Sequence, residues 1–557
     1  MRRLIEDRPF IASLMAGFFA FLVLAALMVR DINPYDEGIV LTGALRTLAG
    51  DIPHRDYYST YGPGQNYLVA GLFAIFGKQL LVARLFSLTL MALTAGTAFV
   101  LTLGRMRWYF SLLVLALVLA FLVGWQAHLY PIYPVIVLAL VGAAALLRNP
   151  VALSRMALIV AGACAGGAAL FRYDGGFFIL VAHCLALAII RWRCVPGGWF
   201  KRWFVDCTVY ALASAAMFFP FAIAYLAVAP LDAFLHDIIR FPTTYYAEMR
   251  ALPFPGPGEL KSQPQEIAVY FPVLVLLLAA WVLLTRPKHG EGLAEERSWF
   301  PLAVMMAMLQ VILFYKGVVR VSGLHMMMSI IPATVLAGLA LDQLMTRRGW
   351  RAALAATALI CLAPGLGVAR ELALDVRQPQ RSLVGWAVTA KPRPHSCAAI
   401  DERSMFRLGG DYRAVASYIR RHTPSDARIL AGLGRHDKIF VNPQVLYFAA
   451  DRLPGTHWHH FDPGLQTRGD IQRQMIRELQ RNEVEWIVRD GSFDNFSEPN
   501  GSSDSSGVHL LDQFIDTRYR RVGHLGNVEI WLSKRVAWPR GRVAARCIVT
   551  PHVTLPQ

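Results

Sequence analysis

The sequence predicts a polytopic α-helical membrane protein, with about eleven transmembrane helices and a C-terminal soluble α/β domain. Three observations carry this. Apolar runs of roughly twenty residues recur through the first two thirds of the 557-residue chain, each long enough to cross a hydrocarbon core of about 30 Å. Only 17% of residues are charged and the mean hydropathy is +0.41, whereas a soluble protein has about a quarter of its residues charged. From residue 371 onward the runs give way to alternating helix-period and strand-period patterns.

The spans are expected near 10–29, 79–103, 108–124, 132–147, 156–171, 177–190, 204–228, 266–285, 299–315, 325–345 and 352–370. In lipid each must close its own backbone hydrogen bonds, which demands helices. The first run follows Arg2 and Arg3 but is too long for a signal-peptide core, and no small-residue cleavage pattern follows it, so it reads as a retained signal anchor. Residues 1–370 then form a membrane domain and 371–557 a soluble one. In the soluble part, Asp411–Arg421 and Asp470–Arg481 read as helices. Arg428–Leu430 and Glu485–Val488 read as strands, and Tyr519–Leu532 as a hairpin turning at Gly526-Asn527. The Ser/Asp/Gly/Asn-rich stretch 491–507 reads as a loop.

The net charge of +17 would suggest nucleic acid in a soluble protein. Here the basic residues gather in short loops on one side of the eleven-span pattern. They include Arg105, Arg107, Arg148, Arg155, Arg191, Arg193, Arg286, Lys288, Arg347 and Arg348, with Arg2, Arg3 and Arg8 at the N-terminus. Topology explains them without nucleic acid. The positive-inside rule puts the N-terminus in the cytoplasm and, with an odd span count, the tail outside, which fits a multi-pass protein of the inner (plasma) membrane. Four cysteines, Cys164, Cys184, Cys207 and Cys361, fall in spans as small core residues, and Cys194 lies in a basic loop. Cys397 and Cys547 lie in the tail, where an extracytoplasmic setting permits a disulfide.

The outer face holds two long loops, 30–78 and 229–265, and long ordered loops on one face are where sites usually lie. The first begins Asp31-Ile32-Asn33-Pro34-Tyr35-Asp36-Glu37-Gly38. Asn33 then Pro34 reads as an N-cap and first helical residue, with the helix ending before Gly50. Asp36 and Glu37 then sit in its first turn. One reading is helix capping, since the dipole favours acids there. The other is a carboxylate pair, one acid taking a proton from a hydroxyl nucleophile and the other orienting it or holding a cation. The tyrosines of Tyr57-Tyr58-Ser59-Thr60-Tyr61 fit the membrane–water boundary, and residues 68–77 are too short to span and suit an interfacial helix. Asp174, in Phe171-Arg172-Tyr173-Asp174, reads either as a local ion pair with Arg172 or as a working acid, because ionisable groups at a membrane boundary are costly unless paired or used. Lys316, Arg320 and His325 share one short outer loop. Snorkelling explains one or two of them, and all three together suit a phosphate. Adjacent acids are a weak metal signal, so Mg²⁺ or Mn²⁺ at Asp36 and Glu37 is left open. His457-Trp458-His459-His460 and Asp462 read as a surface turn, with a transition-metal site as the alternative at a spacing that matches no standard zinc pattern.

The order of one span, Asp36-Glu37, Tyr61-Gly62-Pro63-Gly64, an apolar helix ending Phe76-Gly77, then Arg84-Leu85-Phe86-Ser87, resembles the GT-C superfamily of membrane glycosyltransferases. It is similar in particular to the polyprenyl-phosphate-sugar-dependent branch that includes protein O-mannosyltransferases and lipid A aminoarabinose transferases. The resemblance covers residues 10–345, most clearly 30–90. It implies inverting transfer of a sugar from a polyprenyl-phosphate donor to a glycan, lipid or protein acceptor at the outer face of the bilayer. Asp36 would then be the base with Glu37 beside it, Asp174 a second acid, and Lys316, Arg320 and His325 the donor-phosphate cations. Tyr57, Tyr61 and Arg172 would line the substrate. Many relatives have Lys-Pro-Pro before the short helix; this chain has Tyr61-Gly62-Pro63-Gly64 and offers no lysine there.

Three other readings compete. A lipid-linked glycan transporter or flippase would show internal repeats and polar breaks at mid-membrane, whereas the unusual polar residues here gather at one face. A glycan ligase or polymerase would also use outer Arg and His, but the early Asp-Glu loop favours a transferase. A non-catalytic scaffold would leave Asp36, Asp174 and Arg320 dispensable. No Walker or Rossmann loop occurs, in keeping with a donor that is not a nucleotide sugar.

Overall fold

The computed structural model describes residues 9–195, 197–284, 293–389 and 406–537. Each of the eleven apolar runs falls on a helix, from Pro9–Ala26 through Trp350–Arg377. Seven of these helices are long and apolar enough to cross a membrane on their own. The chain is a multi-pass membrane protein with a C-terminal α/β domain, the fold class the sequence predicts. Cys397 and Cys547 lie outside the described residues, as do Arg2, Arg3, Arg8, Arg286 and Lys288.

The chain divides into two compact units. The first comprises Met1–Met28, Arg84–Ala227 and Pro253–Gly385. Within it the helix Met327–Arg348 is buried along its whole apolar window, while Trp199–Leu226 keeps most of its surface outward. The helix Arg155–Phe171 packs on Trp199–Leu226 through glycines. A Cβ on Gly162 would lie 2.3 Å from the Tyr210 carbonyl oxygen, and one on Gly166 2.3 Å from that of Ser214. Small residues let helix backbones approach where lipid supplies no hydrophobic drive between helices. Two of the basic loop residues find partners at helix ends: Arg191 pairs with Asp206 at 2.5 Å and Arg107 with Asp342 at 3.1 Å.

The second unit comprises Val29–Ala83, Val228–Leu252 and Trp386–Gln557. Its sheet contains β1 (Arg428–Leu433), β2 (Leu453–Pro454), β3 (Trp486–Asp490), β4 (Tyr519–Leu525) and β5 (Val528–Ser533), in the order β2-β1-β3-β5-β4. β1 pairs in parallel with β2 and β3, and β3, β5 and β4 run antiparallel in turn. The hairpin turns at Gly526-Asn527, with Gly526 left-handed at φ 54°. Side chains alternate across the strands. Ile429, Ala431, Trp486 and Val488 meet the helices Gly410–His422 and Val445–Ala450 on one face. Leu430 and Ile487 meet the helices Gly469–Arg481 and Leu510–Arg518 on the other. Tyr58 and Phe241, from the two long loops, are buried in that second cluster. The loops are therefore part of the same hydrophobic core as the tail, because their aromatic side chains fill it.

Candidate functional site

The Asp36 turn belongs to the second unit. The helix there runs Asp36–Leu48, two residues later than the Asn33-Pro34 signal suggests. Asn33 caps the preceding turn instead: its Oδ1 accepts from the amides of Tyr35 at 2.9 Å and Asp36 at 3.2 Å. Glu37 Oε2 reaches back to accept from the Asn33 amide at 3.2 Å. This exchange is the logic of a capping box, and it separates the two acids. Glu37 is buried and holds the turn, whereas Asp36 is half-buried and receives a long contact, 3.4 Å, from Asn33 Nδ2.

The tail grips this helix along its length. The Val445 amide donates to the Pro34 carbonyl at 3.0 Å, and Thr42 Oγ1 to the Gln444 carbonyl at 2.9 Å. Arg46 is buried between the Asp51 carboxylate, 2.7 Å, and the carbonyls of Thr456, 2.8 Å, and Asp56, 2.9 Å. Tyr57 is buried with its hydroxyl against Thr47 Oγ1, 2.8 Å, and the Gly43 carbonyl, 3.1 Å. Tyr61 is half-buried just before the short helix Gly64–Phe76, whose Ile75 and Phe76 are exposed.

In the first unit a single extended residue, Arg172, breaks the helix Arg155–Phe171 from Tyr173–Cys194. Its guanidinium forks onto Asp174, with Nε at 3.1 Å from one oxygen and an Nη at 2.9 Å from the other. Lys316 Nζ, from a distant helix end, lies 3.6 Å from the same carboxylate. The structure thus adds Lys316, which the sequence singles out in a different loop, to the Arg172–Asp174 pair, placing two cations on one acid. In the following loop, His325 Nδ1 is 2.7 Å from Ser322 Oγ and its ring stands edge-on to Tyr130. Arg320 is half-buried, its amide donating to the Gly317 carbonyl. Glu266 accepts from the Gly323 amide at 2.8 Å and anchors this loop; an acid at the start of a span is its sequence signal.

The His457–Asp462 stretch is not the surface turn the sequence suggests. Trp458, His459, His460 and Asp462 are all buried, because aromatic residues from the loops and the tail close over them. Asp462 takes Arg250 at 2.9 Å and the Tyr58 hydroxyl at 3.2 Å, with His460 Nε2 at 3.5 Å. Burial acts to raise the Asp462 pKa, but its partners His460, Arg250 and Tyr58 outweigh it and hold the carboxyl below its ordinary range. Asp237 bonds His54 Nδ1 at 2.7 Å and His236 at 3.1 Å, and those hydrogen bonds likewise overcome its burial and lower its pKa. Burial pushes the His457, His459 and His460 rings toward the neutral form.

Elsewhere in the tail Asp437, His509 and Asp512 come within ligand distance of one another. Both acids already have partners, Asp437 the Arg435 guanidinium and Asp512 the His436 ring and the Arg489 guanidinium. A donor set that faces two guanidinium groups fits a divalent ion poorly.

No protein-family model and no curated protein matches the sequence. Among solved structures the chain is similar to ArnT from Cupriavidus metallidurans in the apo state, with a TM-score of 0.54 and 13% identity over 94% of this chain and 97% of that one. AglB, an archaeal oligosaccharyltransferase from Archaeoglobus fulgidus solved with an inhibitory peptide and a dolichol-phosphate, aligns with a TM-score of 0.48 and 11% identity, over 95% of this chain and 75% of that one. The Pmt1-Pmt2 protein O-mannosyltransferase complex of S. cerevisiae, bound to its sugar donor, matches with a TM-score of 0.32 and 13% identity, over 40% of this chain and 34% of that one. Matched to ArnT along nearly the full length of both chains, this protein has the GT-C fold.

Proposed function

We propose that the chain is an inverting glycosyltransferase that moves a sugar from a polyprenyl-phosphate donor to an acceptor hydroxyl at the outer face of the inner (plasma) membrane. The acceptor is a glycan, a lipid or a protein. The observation that carries the reading is the near full-length correspondence in fold with ArnT, joined to a half-buried acid, Asp36, on a turn built to hold it. The leaving group is a phosphate, stable as an anion. The chemistry then needs a base for the acceptor and cations for the charge growing on the phosphate.

Asp36 is the base, and Glu37 fixes the turn that carries it. Asp174 is held in a defined place by Arg172 and Lys316; with Arg320 and His325 these supply the positive field for the donor phosphate. Tyr61, half-buried just before the short helix, lines the substrate. The buried hydroxyl of Tyr57 supports a structural part for it. Chelation tests whether turnover needs a divalent cation, Mg²⁺ or Mn²⁺, at Asp36 and Glu37. The N-terminus is cytoplasmic and the tail extracytoplasmic, on the bias of loop charge.

The test is transfer from a panel of polyprenyl-phosphate sugars by purified protein in nanodiscs. Wild type should transfer or hydrolyse one donor. Asp36→Asn should fold and bind that donor but turn over about 10²–10⁴-fold more slowly, the usual worth of a general base. Near-normal turnover in Asp36→Asn would remove Asp36 from the role.

A further inference from the structure

The residue before Asp36 is tied into the tail by a chain of side-chain hydrogen bonds. Tyr35 Oη lies 3.1 Å from Tyr412 Oη, and Tyr412 Oη donates to Asp490 Oδ2 at 2.6 Å. Tyr412 has one proton and spends it on the carboxylate, so Tyr35 is the donor in the first contact. Asp490 ends β3 and is fully buried; its other oxygen accepts from the Ser492 amide at 2.9 Å. Hydrogen bonds to an ionised acceptor inside a protein are short and strong. The Tyr35 ring is also held edge-on against Phe493 at 5.1 Å. On the far side of Asp36, Gly38 lies against the helix Val445–Ala450 so closely that a Cβ would sit 2.5 Å from the Val445 nitrogen. Residues on both sides of Asp36 are thus fixed by the tail, one through a hydroxyl relay to the sheet and one through direct backbone contact. A third tie is the Arg407–Asp31 pair at 2.8 Å, beside the backbone bond from the Ile32 amide to the Arg407 carbonyl.

We propose that Tyr412 and Asp490 are positioning residues for Asp36, so that the soluble tail sets the aim of the base. The proposal rests on the reading of Asp36 as the base. A group misplaced by about 1 Å from its reacting partner costs up to about 10²-fold in rate. Tyr412 and Asp490 act on the reaction through the direction in which the Asp36 carboxylate points.

The experiment uses full-length protein in nanodiscs and compares wild type with Tyr412→Phe, Asp490→Ala, Asp490→Asn and a control, Arg521→Ala, in an exposed ion pair of the hairpin. Transfer kinetics and hydrogen–deuterium exchange of amides 33–40 are read on each. Tyr412→Phe and Asp490→Ala should lower kcat about tenfold with the donor KM unchanged, and should speed exchange at 33–40. Asp490→Asn keeps an acceptor oxygen and should recover part of the rate lost in Asp490→Ala. Arg521→Ala should match wild type in both measurements. Wild-type kcat in Tyr412→Phe overturns the proposal, and so does a rate loss matched by an equal loss of donor binding, which marks a general disruption. If wild type itself binds and transfers from no donor, the base reading falls and the catalytic proposal with it. Exchange at 33–40 then decides separately whether the relay holds the turn.

Discussion

At the scale of the residue, the structure assigns different tasks to neighbouring acids. Glu37, buried, accepts from the Asn33 amide of its own turn, and Asp36, half-buried, receives the Asn33 side chain, a division that adjacency in sequence conceals. Gly38, next to them, is needed for contact: with a Cβ 2.5 Å from the Val445 nitrogen, Gly38→Ala must push two backbones apart. We expect it to cost about 1–3 kcal/mol of stability, as overpacking does, and to lower transfer as well. Thermal melting together with the transfer assay checks both. Arg320 offers a second residue-level test. Arg320→Ala should raise the donor Kd about tenfold or more, the loss of one charge-assisted hydrogen bond, and leave acceptor affinity nearly as it was. Titration with a labelled polyprenyl-phosphate sugar measures it, and an unchanged donor Kd rules the contact out.

At the scale of the element, the helix pair Arg155–Phe171 and Trp199–Leu226 depends on what is missing from its interface. Gly162 and Gly166 lie one turn apart and both face carbonyl oxygens at a distance no Cβ tolerates. Gly166→Val should separate the pair and lower the melting temperature of the detergent-solubilised protein, by about 1–3 kcal/mol of stability. A melting curve equal to wild type would mean that the pair tolerates a wider spacing. Because Arg172 and Asp174 follow directly on the first of these helices, the same variant should weaken donor binding. In the tail, the two-residue β2 is too short to read, while β1 and β3 are legible as short apolar runs and the hairpin from Gly526-Asn527. The helix Val445–Ala450 is not, because six residues are too few to show a period, yet it is the one that seats the Asp36 helix.

At the scale of the whole molecule, the buried histidines and acids of the second unit should make it sensitive to acid. His457, His459 and His460 are kept neutral by burial, so their folded-state pKa values lie below the unfolded value of about 6.5. Below that pH the unfolded chain binds protons the folded one refuses, and each ring then removes up to about 1.4 kcal/mol per pH unit. Asp237 and Asp462 act further down. Their pKa values are lowered by their partners, so the stability they add is full above about 3.9 and is lost as pH falls through the folded values. The melting temperature of the full-length protein should therefore hold from pH 8 to 7 and decline from about 6.5 downward. His459→Leu should make that decline shallower. A flat profile between pH 7 and 5 would show that the rings are solvated.

The sequence by itself determined the membrane helices and the α/β tail, since an apolar run of spanning length has one viable backbone and two strand-like runs joined by Gly526-Asn527 make a two-residue hairpin. It also marked Asp36, Arg172, Asp174 and Lys316, because charged residues beside apolar runs are few and therefore visible. Tertiary structure decided which of these meet. The fork of Arg172 on Asp174 is local in sequence, but the approach of Lys316 comes from a helix end more than a hundred residues away. The burial of His459 and Asp462 depends on Tyr58 and Phe241, which join the core from two separate loops. The relay from Tyr35 through Tyr412 to Asp490 spans hundreds of positions and uses residue types that occur everywhere. Local composition reports what a segment must bury, and only the folded chain decides what buries it.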